Sequence, residues 1–293
     1  MEQQKEKRKN VSQKSYAKIN LFLDILAKRG DGFHEIKTLF SEIDLYDEIK
    51  FVLTKKEGIK ILSDKYLIPE KENIIYKIAI FIKKKYNVKS GVNIFLKKNI
   101  PISAGLGGGS SNAAFTIRAL SFLWDLSLTK SEMHTIAQNF GSDINFFLKG
   151  GLALGKGRGD VIEALDFYLE IKNILLVKPD FGISSKDAYS LWESKTKTDN
   201  SDKLRKLLET KNIKYCFNDL EEEIINNYPA LKTIYKVFEE NKIRCMLSGS
   251  GSTVIGFCKN RVQAQNLKEE FLNQNYWSYI TKTKRRTKWK LQM

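Results

Sequence analysis

Apolar and polar residues alternate near the start of the chain. Between Ser15 and Ile25, apolar positions 17, 19, 21, 23 and 25 alternate with a second set that includes Lys18 and Asn20. A period of two is typical of a β-strand with one buried face. The pattern therefore predicts a strand whose other face carries Lys18 and Asn20.

The rest of the pattern predicts helices and strands in mixed order. Strands are predicted near 35–44, 48–54, 91–99, 172–178 and 277–283, with a hairpin over 150–165 and a strand, a loop and a strand over 244–258. Helices are predicted after Asn73 and over 110–124, 130–139, 185–193, 202–210, 217–226, 229–241 and 260–274. This order shows no internal repeat and no regular βαβ alternation, which favours an α+β fold. We place the domain boundary near Leu165, with domains over residues 11–165 and 166–293.

Composition defines a broad class. A chain of 293 residues with 42% hydrophobic and 29% charged residues is typical of a globular protein of two domains. Its three cysteines are too few and too scattered for a disulfide framework or a zinc site. No stretch approaches the roughly 18 apolar residues of a membrane span, and the N-terminal segment is polar. We expect a cytoplasmic protein with no membrane partner.

The formal net charge of +16 favours an anionic ligand or a nucleic acid. Lysines are spread along the chain, with concentrations at residues 5–10 and 282–290, near its ends. Basic segments near chain ends are commonly solvated tails, and we predict that both of these are. The excess charge still raises the rate at which a phosphate ligand would be encountered.

The segment GLGGGSSNAA, residues 105–114, is the strongest functional signal. Four glycines in five positions precede Ser110, Ser111 and Asn112, and then a helix with an apolar stripe. Unpaired N–H groups at a helix start bind anions, and glycines let a phosphate approach them. The segment fits neither the Walker A nor the dinucleotide pattern. A tight turn with glycines for packing is the alternative, but the number of glycines favours a phosphate loop.

Other glycine-rich segments are more ambiguous. SGSGS, residues 248–252, lies between two apolar strands and is either a plain turn or a second loop that closes on the first. GKGRG, residues 155–159, is basic enough for phosphate but lies between two strands with no helix after it. We interpret GKGRG as a hairpin turn.

A phosphate site needs further groups if it is to transfer a phosphoryl group to an alcohol. A carboxylate that orients the hydroxyl and takes its proton is one of them. Asp143, in GSDINFF, is a candidate for this role and equally a candidate helix cap. Lys18 would keep such a carboxylate ionised, although it could also be a solvated strand residue.

Four segments in order resemble the GHMP kinase superfamily: SYAKINLFLDILAKRGDGFHEI, IPISAGLGGGSSNAA, FGSDINFFLKGG and MLSGSGSTVIGF. The first, with AKINL and DGFHE, is the most specific, and it is similar to the branch that acts on cytidine diphosphate methylerythritol. The resemblance implies an N-terminal domain like the second domain of ribosomal protein S5, a ferredoxin-like C-terminal domain and a cleft between them. It also implies ATP and Mg²⁺ as cofactors and transfer of the γ-phosphate to the 2-hydroxyl of that substrate.

The resemblance further implies roles for individual residues. Asp143 is the implied base and Lys18 its partner. The residues implied to bind the nucleotide are Asn73, Lys98, Pro101, Gly105, Leu106, Gly107, Gly108, Gly109, Ser110, Ser111 and Asn112. The residues implied to bind the substrate are Asn20, Phe33, His34, Asp143, Ser185 and Tyr189, with His34 reading the cytosine edge between the aromatic rings of Phe33 and Tyr189. No protein metal ligand is assigned.

Departures from the family pattern and rival functions remain. Phe33 stands where Tyr is more usual, and Ser185 where Thr is common, while His134 has no family counterpart and is interpreted as structural. One rival is another GHMP kinase acting on homoserine or mevalonate, substrates without a base for DGFHE to read. Another is a non-enzymatic RNA-binding protein, which the charge would suit. We expect a small-molecule substrate, no nucleic-acid partner, and a monomer or weak homodimer.

Overall fold

The computed structural model describes residues 9–65, 68–192 and 200–286. In chain order the described elements are β1 (Asn10–Lys28), β2 (His34–Thr54), β3 (Ile59–Ser63), α1 (Ile74–Lys85), β4 (Gly91–Lys97), α2 (Gly108–Leu123), α3 (Lys130–Gln138), α4 (Ile144–Lys149), β5 (Leu152–Lys156), β6 (Val161–Ala164), β7 (Ile174–Lys178), α5 (Ser185–Leu191), α6 (Ser201–Thr210), β8 (Phe217–Asn218), α7 (Glu221–Asn227), α8 (Pro229–Glu240), β9 (Cys245–Leu247), β10 (Val254–Phe257), α9 (Arg261–Asn273) and β11 (Trp277–Thr281). Short 3₁₀ helices cover Glu70–Glu72 and Ile213–Tyr215. The α+β class predicted from the sequence is confirmed.

The first sheet is built around the long antiparallel pair of β1 and β2. Its order is β3-β4-β2-β1-β8, and β5 and β6 extend it from β2. Helices α1 to α4 bury their apolar stripes against one face of this sheet, with Phe51 and Phe115 packed edge to face in that core. The glycine segment leads into α2, so this packing fixes the start of α2 against β1.

The second sheet has the order β11-β7-β10-β9, with neighbours antiparallel. Numbered within the sheet by chain order, this is 4-1-3-2, the arrangement of the ferredoxin-like motif. Helices α5, α7, α8 and α9 contribute residues to its core. The ferredoxin-like architecture implied for the second half of the chain is therefore present.

A shared apolar core joins the two sheets. Ile19 and Leu39 of the first sheet belong to the same buried cluster as Ile174, Met246 and Ile255 of the second. The short strand β8 adds a further link, because it pairs with β1 in parallel at Phe22 and Leu23. The boundary near Leu165 stays a prediction, since residues on both sides of it contribute to this core.

Several predicted elements need correction. The strand near Ser15 is buried on both faces, not one, since α2 covers one face and the shared core the other. The strands expected at 35–44 and 48–54 are one strand, β2, in which Asp44 and Leu45 form a bulge opposite Tyr16 and Ala17. The helix expected over 217–226 begins at Glu221 and is preceded by β8, and the short edge strand β3 was not predicted.

The basic segment 282–290 is not a solvated tail over its described part, residues 282–286. Lys282 O accepts a hydrogen bond from Asp44 N at 2.9 Å, and Lys284 N donates to Glu42 O at 2.9 Å. Thr283 is fully buried, and Arg286 donates to Gly150 O at 3.1 Å. Backbone hydrogen bonds to β2 therefore hold residues 282–286 against the first sheet, although this segment is rich in charged side chains. The basic segment at residues 5–10 lies largely outside the described residues, as do positions 287–290.

Candidate active site

A cleft of about 1330 Å³ runs along the start of α2, the turn before β2, the start of α5 and the loop between β9 and β10. The predicted site residues that line it are Lys18, Asn20, Phe33, His34, Asn73, Lys98, Pro101, Gly105, Gly107, Gly108, Gly109, Ser110, Asn112, Asp143, Ser185 and Tyr189. Leu106 and Ser111 do not line it. The fold thus brings together residues that are far apart in the chain.

The glycine segment forms the turn into α2. Gly105 and Gly107 have φ of +71° and +67°, the left-handed region that favours glycine. The first hydrogen bond of α2 runs from Ser111 N to Gly107 O at 2.9 Å. The N–H groups of residues 108–110 precede that bond, and helix geometry leaves such groups unpaired. A Cβ on Gly109 would meet no atom of the described residues within 4 Å, so among these residues the approach to the N–H groups is open.

The two predicted loop residues outside the cleft have structural contacts. Leu106 is buried in the shared core, and its carbonyl accepts the backbone N–H of Lys18 at 3.0 Å. The Ser111 hydroxyl is buried and lies 2.7 Å from the hydroxyl of Ser15. Both residues fasten the glycine loop to β1, beside Lys18.

The second glycine segment closes on the first. A Cβ on Gly105 would lie 2.0 Å from Ser248 O, and the Ser248 hydroxyl donates to Gly105 O at 3.1 Å. Gly249 and Ser250 line the cleft. Of the two interpretations left open for SGSGS, the structure supports a second loop that closes on the first glycine segment, whereas GKGRG forms the hairpin turn between β5 and β6.

Lys18 and Asp143 form an ion pair in this cleft. The distance from Lys18 Nζ to Asp143 Oδ2 is 3.4 Å, and the two side chains are 5% and 31% exposed. Asp143 lies at the position before α4 but its side chain makes no capping hydrogen bond there. The alternative of a helix cap is therefore not supported. Lys18 is buried and paired, so it is not a solvated strand residue.

Neighbours on the first sheet hold Lys18 in place. Lys18 Nζ donates to Asn20 Oδ1 at 2.7 Å, Asn20 Nδ2 donates to the Thr38 hydroxyl at 2.8 Å, and that hydroxyl donates to Phe22 O at 2.7 Å. Each donor in this series of three hydrogen bonds has a defined acceptor. The ammonium is thereby oriented toward Asp143 by a relay of polar groups across β1 and β2.

A fully buried carboxylate, Asp47, organises the other end of the cleft. Lys98 Nζ lies 2.5 Å from Asp47 Oδ2, and Asn112 Nδ2 donates to the same oxygen at 3.0 Å. The other oxygen accepts the N–H groups of Asn99 and Ile100, both at 2.8 Å. Burial lowers the pKa of Lys98, and the charge of Asp47 opposes that shift. Among the described residues, the buried Asn112 Oδ1 has no hydrogen-bond partner.

Aromatic rings gather at the opposite end of the cleft. His34 stacks on Tyr189 with ring centroids 5.2 Å apart, and Trp192 meets the imidazole edge to face at 5.5 Å. Burial lowers the pKa of His34, and Lys28 adds to this effect. Burial, with a contribution from Asp143, raises the pKa of Tyr189. Phe33 is 51% exposed, and Tyr189 presents one ring face to His34.

Two remaining predicted residues lie at the cleft wall. Asn73 caps α1, where its Oδ1 accepts the N–H of Ile75 at 3.0 Å. The Ser185 hydroxyl lies 3.4 Å from that of Ser250, across from the second glycine loop. His134, outside the cleft lining, bonds Asn145 at 2.9 Å, in keeping with its structural interpretation.

Sequence reasoning missed Asp47, Thr38 and Trp192. Asp47 and Thr38 lie inside β2, where a polar residue in a strand ordinarily indicates an exposed face. Trp192 follows Tyr189 by three residues, directly after the end of α5, and helical residues at that spacing share one face. The spacing of Tyr189 and Trp192 could have indicated a pair of neighbouring rings. The burial of Asp47 could not be predicted in this way, because its ion-pair partner Lys98 is distant in sequence.

Comparison with known proteins adds to this geometry. Residues 73–151 match the family described as GHMP kinases N terminal domain, and residues 194–276 match GHMP kinases C terminal. The 4-diphosphocytidyl-2-C-methyl-D-erythritol kinase of Caldanaerobacter subterraneus subsp. tengcongensis is 43% identical over 83% of this chain and 86% of that protein. The enzyme of the same name from Thermodesulfovibrio yellowstonii is 38% identical over 92% of this chain and 96% of that protein.

Solved structures agree with the sequence matches. A crystal structure of 4-(cytidine 5'-diphospho)-2C-methyl-D-erythritol kinase matches with a TM-score of 0.75 and 26% identity, over 93% of this chain and 99% of that one. Leishmania major mevalonate kinase matches with a TM-score of 0.69 at 16% identity, a likeness of fold alone. The fold and the cleft thus define a kinase of the GHMP class. Within that class, the chain belongs to the family of 4-diphosphocytidyl-2-C-methyl-D-erythritol kinases.

Membership in an enzyme family favours the kinase interpretation over a non-enzymatic RNA-binding protein. Among the described residues, no helix is long and apolar enough to cross a membrane. The absence of a nucleic-acid partner, the cytoplasmic location and the oligomeric state stay predictions.

Proposed function

We propose that this protein transfers the γ-phosphoryl group of ATP to the 2-hydroxyl of 4-diphosphocytidyl-2-C-methyl-D-erythritol, a step of non-mevalonate isoprenoid precursor synthesis. The observation that carries the proposal is the Lys18–Asp143 ion pair beside the glycine loop. The loop supplies an anion site, and the pair supplies a carboxylate beside it. The family relationship supports the substrate.

Asp143 acts on the acceptor. Its carboxylate accepts a hydrogen bond from the 2-hydroxyl, orients the oxygen toward the γ-phosphorus and takes the proton as the new O–P bond forms and ADP leaves. Lys18, held by Asn20, positions that carboxylate through the ion pair and adds positive charge near the transferred group. The relay through Asn20 and Thr38 keeps the pair aligned before substrate arrives.

The nucleotide lies along the start of α2 and the cleft wall beside it. The N–H groups of residues 108–110 and the positive end of the α2 dipole bind its phosphates, and Gly105 and Gly107 shape that approach. Asn73, Lys98, Pro101 and Asn112 surround the adenosine. Leu106 and Ser111 act indirectly by holding the loop to β1.

Mg²⁺ fits this donor set. Mg²⁺ is usually held by nucleotide phosphates with few protein ligands, and the Ser110 hydroxyl is a hard oxygen at the loop. When bound it would neutralise charge on the β- and γ-phosphates. Asp143 remains in our assignment a residue that acts on the acceptor hydroxyl.

The aromatic end of the cleft binds the cytidine. Burial lowers the pKa of His34 and so favours its neutral imidazole. A neutral imidazole has one donor and one acceptor for the edge of cytosine. Phe33 and Tyr189 offer ring faces, although the stack of Tyr189 on His34 has to open if cytosine is to lie on that face. Homoserine and mevalonate contain no base, so a GHMP kinase for either substrate would not need this cluster of aromatic residues.

The direct test is a turnover assay with defined acceptors. The protein is incubated with magnesium ATP and with the cytidylylated substrate, free methylerythritol, homoserine or mevalonate, and new phosphomonoesters are followed by ³¹P NMR. We expect product with the cytidylylated substrate alone. Equal turnover of an acceptor without the cytidyl group would contradict the proposal.

A further inference from the structure

The GKGRG turn between β5 and β6 forms part of the cleft through Arg158. The Arg158 guanidinium lies over the ring of Phe33, with Cζ 4.6 Å from the ring centroid, and Arg158 itself lines the cleft. Its side chain is 28% exposed. A cation at this distance from an aromatic face makes a favourable contact. The turn that was interpreted only as a hairpin thus contributes a positive charge to the site.

Contacts within the turn fix the position of Arg158. Arg158 Nη2 lies 3.3 Å from Asp160 Oδ2, and Arg158 N donates to Asp160 Oδ1 at 3.2 Å. The turn is also joined to the segment around Phe33, because Gly157 N donates to Glu35 Oε1 at 3.0 Å and Ile36 N donates to Gly157 O at 2.8 Å. Arg158 and Phe33 therefore belong to one connected unit.

The same turn reaches the catalytic end of the cleft. Asn145 Nδ2 donates to Asp160 O at 3.1 Å, and Asn145 lies in α4, two residues after Asp143 at the N-cap of that helix. Arg158 therefore stands between the ring of Phe33, next to the base-reading His34, and the helix that presents Asp143. In a cytidine diphosphate sugar alcohol, the part between the base and the acceptor hydroxyl is the ribose and the diphosphate.

Arg158 also has the chemistry to bind a diphosphate. Within the described part of the chain its guanidinium makes one ion pair, to Asp160, and a guanidinium has five N–H donors in all. Its other donors are available to a ligand in the cleft. Guanidinium groups bind phosphate oxygens through two parallel hydrogen bonds, an arrangement that a lysine ammonium cannot reproduce.

We propose that Arg158 binds the diphosphate of the cytidyl substrate while its contact with Phe33 holds that ring as a platform for the base. This inference rests on the proposed function for the identity of the substrate. It assigns the diphosphate contact to the hairpin turn, away from the loop that binds ATP.

The test is the variant R158M, which keeps a long side chain over Phe33 and removes the charge. We expect the KM for the cytidylylated substrate and the Kd for CDP to rise at least about tenfold, as for loss of a charge-assisted hydrogen bond. The Kd for cytidine, which has no phosphate, and the KM for ATP stay near the wild-type values. R158K should recover only part of the lost CDP affinity, because it lacks the planar fork.

Lys156 provides a matched control. It belongs to the same hairpin, is exposed, pairs with Glu163 at 3.0 Å and does not line the cleft, so K156M should leave CDP affinity unchanged. Thermal unfolding of each variant checks that the hairpin is intact. Equal weakening of CDP and cytidine in R158M would overturn the diphosphate role, and so would unchanged CDP affinity. Turnover by the wild-type protein tests the proposed function separately, so either conclusion can fail without the other.

Discussion

At the scale of single residues, the proposed activity depends on a carboxylate held beside an ammonium. Asp143 lies at the N-cap of α4 and Lys18 in β1, and Lys18 is held by Asn20 as well as by Asp143. The structure removes the cap alternative for Asp143 because its oxygens face Lys18 and not the N–H groups of α4. This geometry makes the two residues direct targets for kinetic tests.

Replacing Asp143 by Asn preserves the shape of the side chain and removes its ability to take a proton. We expect D143N to lower kcat by roughly 10² to 10⁴, as is typical for loss of a general base. ATP binding should persist, because the N–H groups of the glycine loop are unchanged. Single-turnover kinetics together with ATP affinity measures both quantities. D166N, a change at an exposed aspartate outside the cleft, is the control, and wild-type turnover in D143N would remove Asp143 from the mechanism.

Replacing His34 by Ala separates the two substrates. The imidazole lies with Tyr189 and Trp192 at the aromatic end of the cleft and is not part of the glycine loop. Its loss should therefore weaken binding of the cytidylylated substrate only. We expect the KM for that substrate to rise about tenfold, equivalent to one lost hydrogen bond with its stacking contact. The KM for ATP, measured in the same assay, is the internal control. An equal rise in both constants would show that His34 is structural.

At the scale of elements, the two glycine loops work as one unit. The loop after β9 packs so closely on the loop before α2 that Gly105 has no room for a side chain at their contact. Gly107 and Gly108 are also tightly packed, against Phe147 and Ile100, whereas Gly109 faces open space. Packing thus accounts for Gly105, Gly107 and Gly108, whereas the open space at Gly109 leaves room for the proposed phosphate.

G105A tests this contact between loops. The added Cβ would lie 2.0 Å from Ser248 O, in a backbone conformation with φ of +71°. We expect a loss of unfolding free energy of at least about 1–2 kcal/mol from the backbone conformation alone, with a further loss from the clash. Urea denaturation measures it. G109A is the matched control for stability, since its Cβ meets no atom within 4 Å; equal destabilisation of both variants would argue against a specific contact.

Elements with a clear period were predictable from the sequence, and long-range pairings were not. The helix after Asn73 and the helix after the glycine loop were confirmed within a few residues, because their apolar stripes and caps are local signals. The bulge at Asp44 and Leu45 interrupted the alternation of β2 and so made one strand resemble two. The Lys18 side chain reaches Asp143 only after β1 packs against α2 and α4, a tertiary event that residue spacing does not encode.

At the scale of the whole molecule, the last described residues close the first sheet. Thr283 forms a bridge with Ile43 of β2, and its hydroxyl accepts Ile171 N and donates to Leu169 O, both at 2.8 Å. The basic residues around it make further contacts, including Lys284 over the ring of Tyr16. The prediction of a solvated tail was wrong here because charge alone does not report such backbone pairing.

T283V measures what this closure contributes. Valine has nearly the same shape but leaves a buried N–H and a buried carbonyl without partners, at a cost of about 1–3 kcal/mol each. We expect unfolding at lower urea concentration with an unchanged m-value, since the surface exposed on unfolding is the same. K282A, which changes an exposed side chain and keeps the backbone contact, should behave as wild type. If T283V were as stable as wild type, the contact would have no energetic role.

The packing of Gly249 beside Lys18 and Asn20 has a consequence for biosynthesis. A Cβ at Gly249 would lie 2.9 Å from Asn20 Oδ1, so the wall of the cleft combines residues that the ribosome makes more than two hundred positions apart. A nascent chain that already contains both Lys18 and Asp143 still lacks this wall until residues 248–252 have left the exit tunnel. The newly made polypeptide therefore gains a complete cleft late in its synthesis, after most of it has been translated.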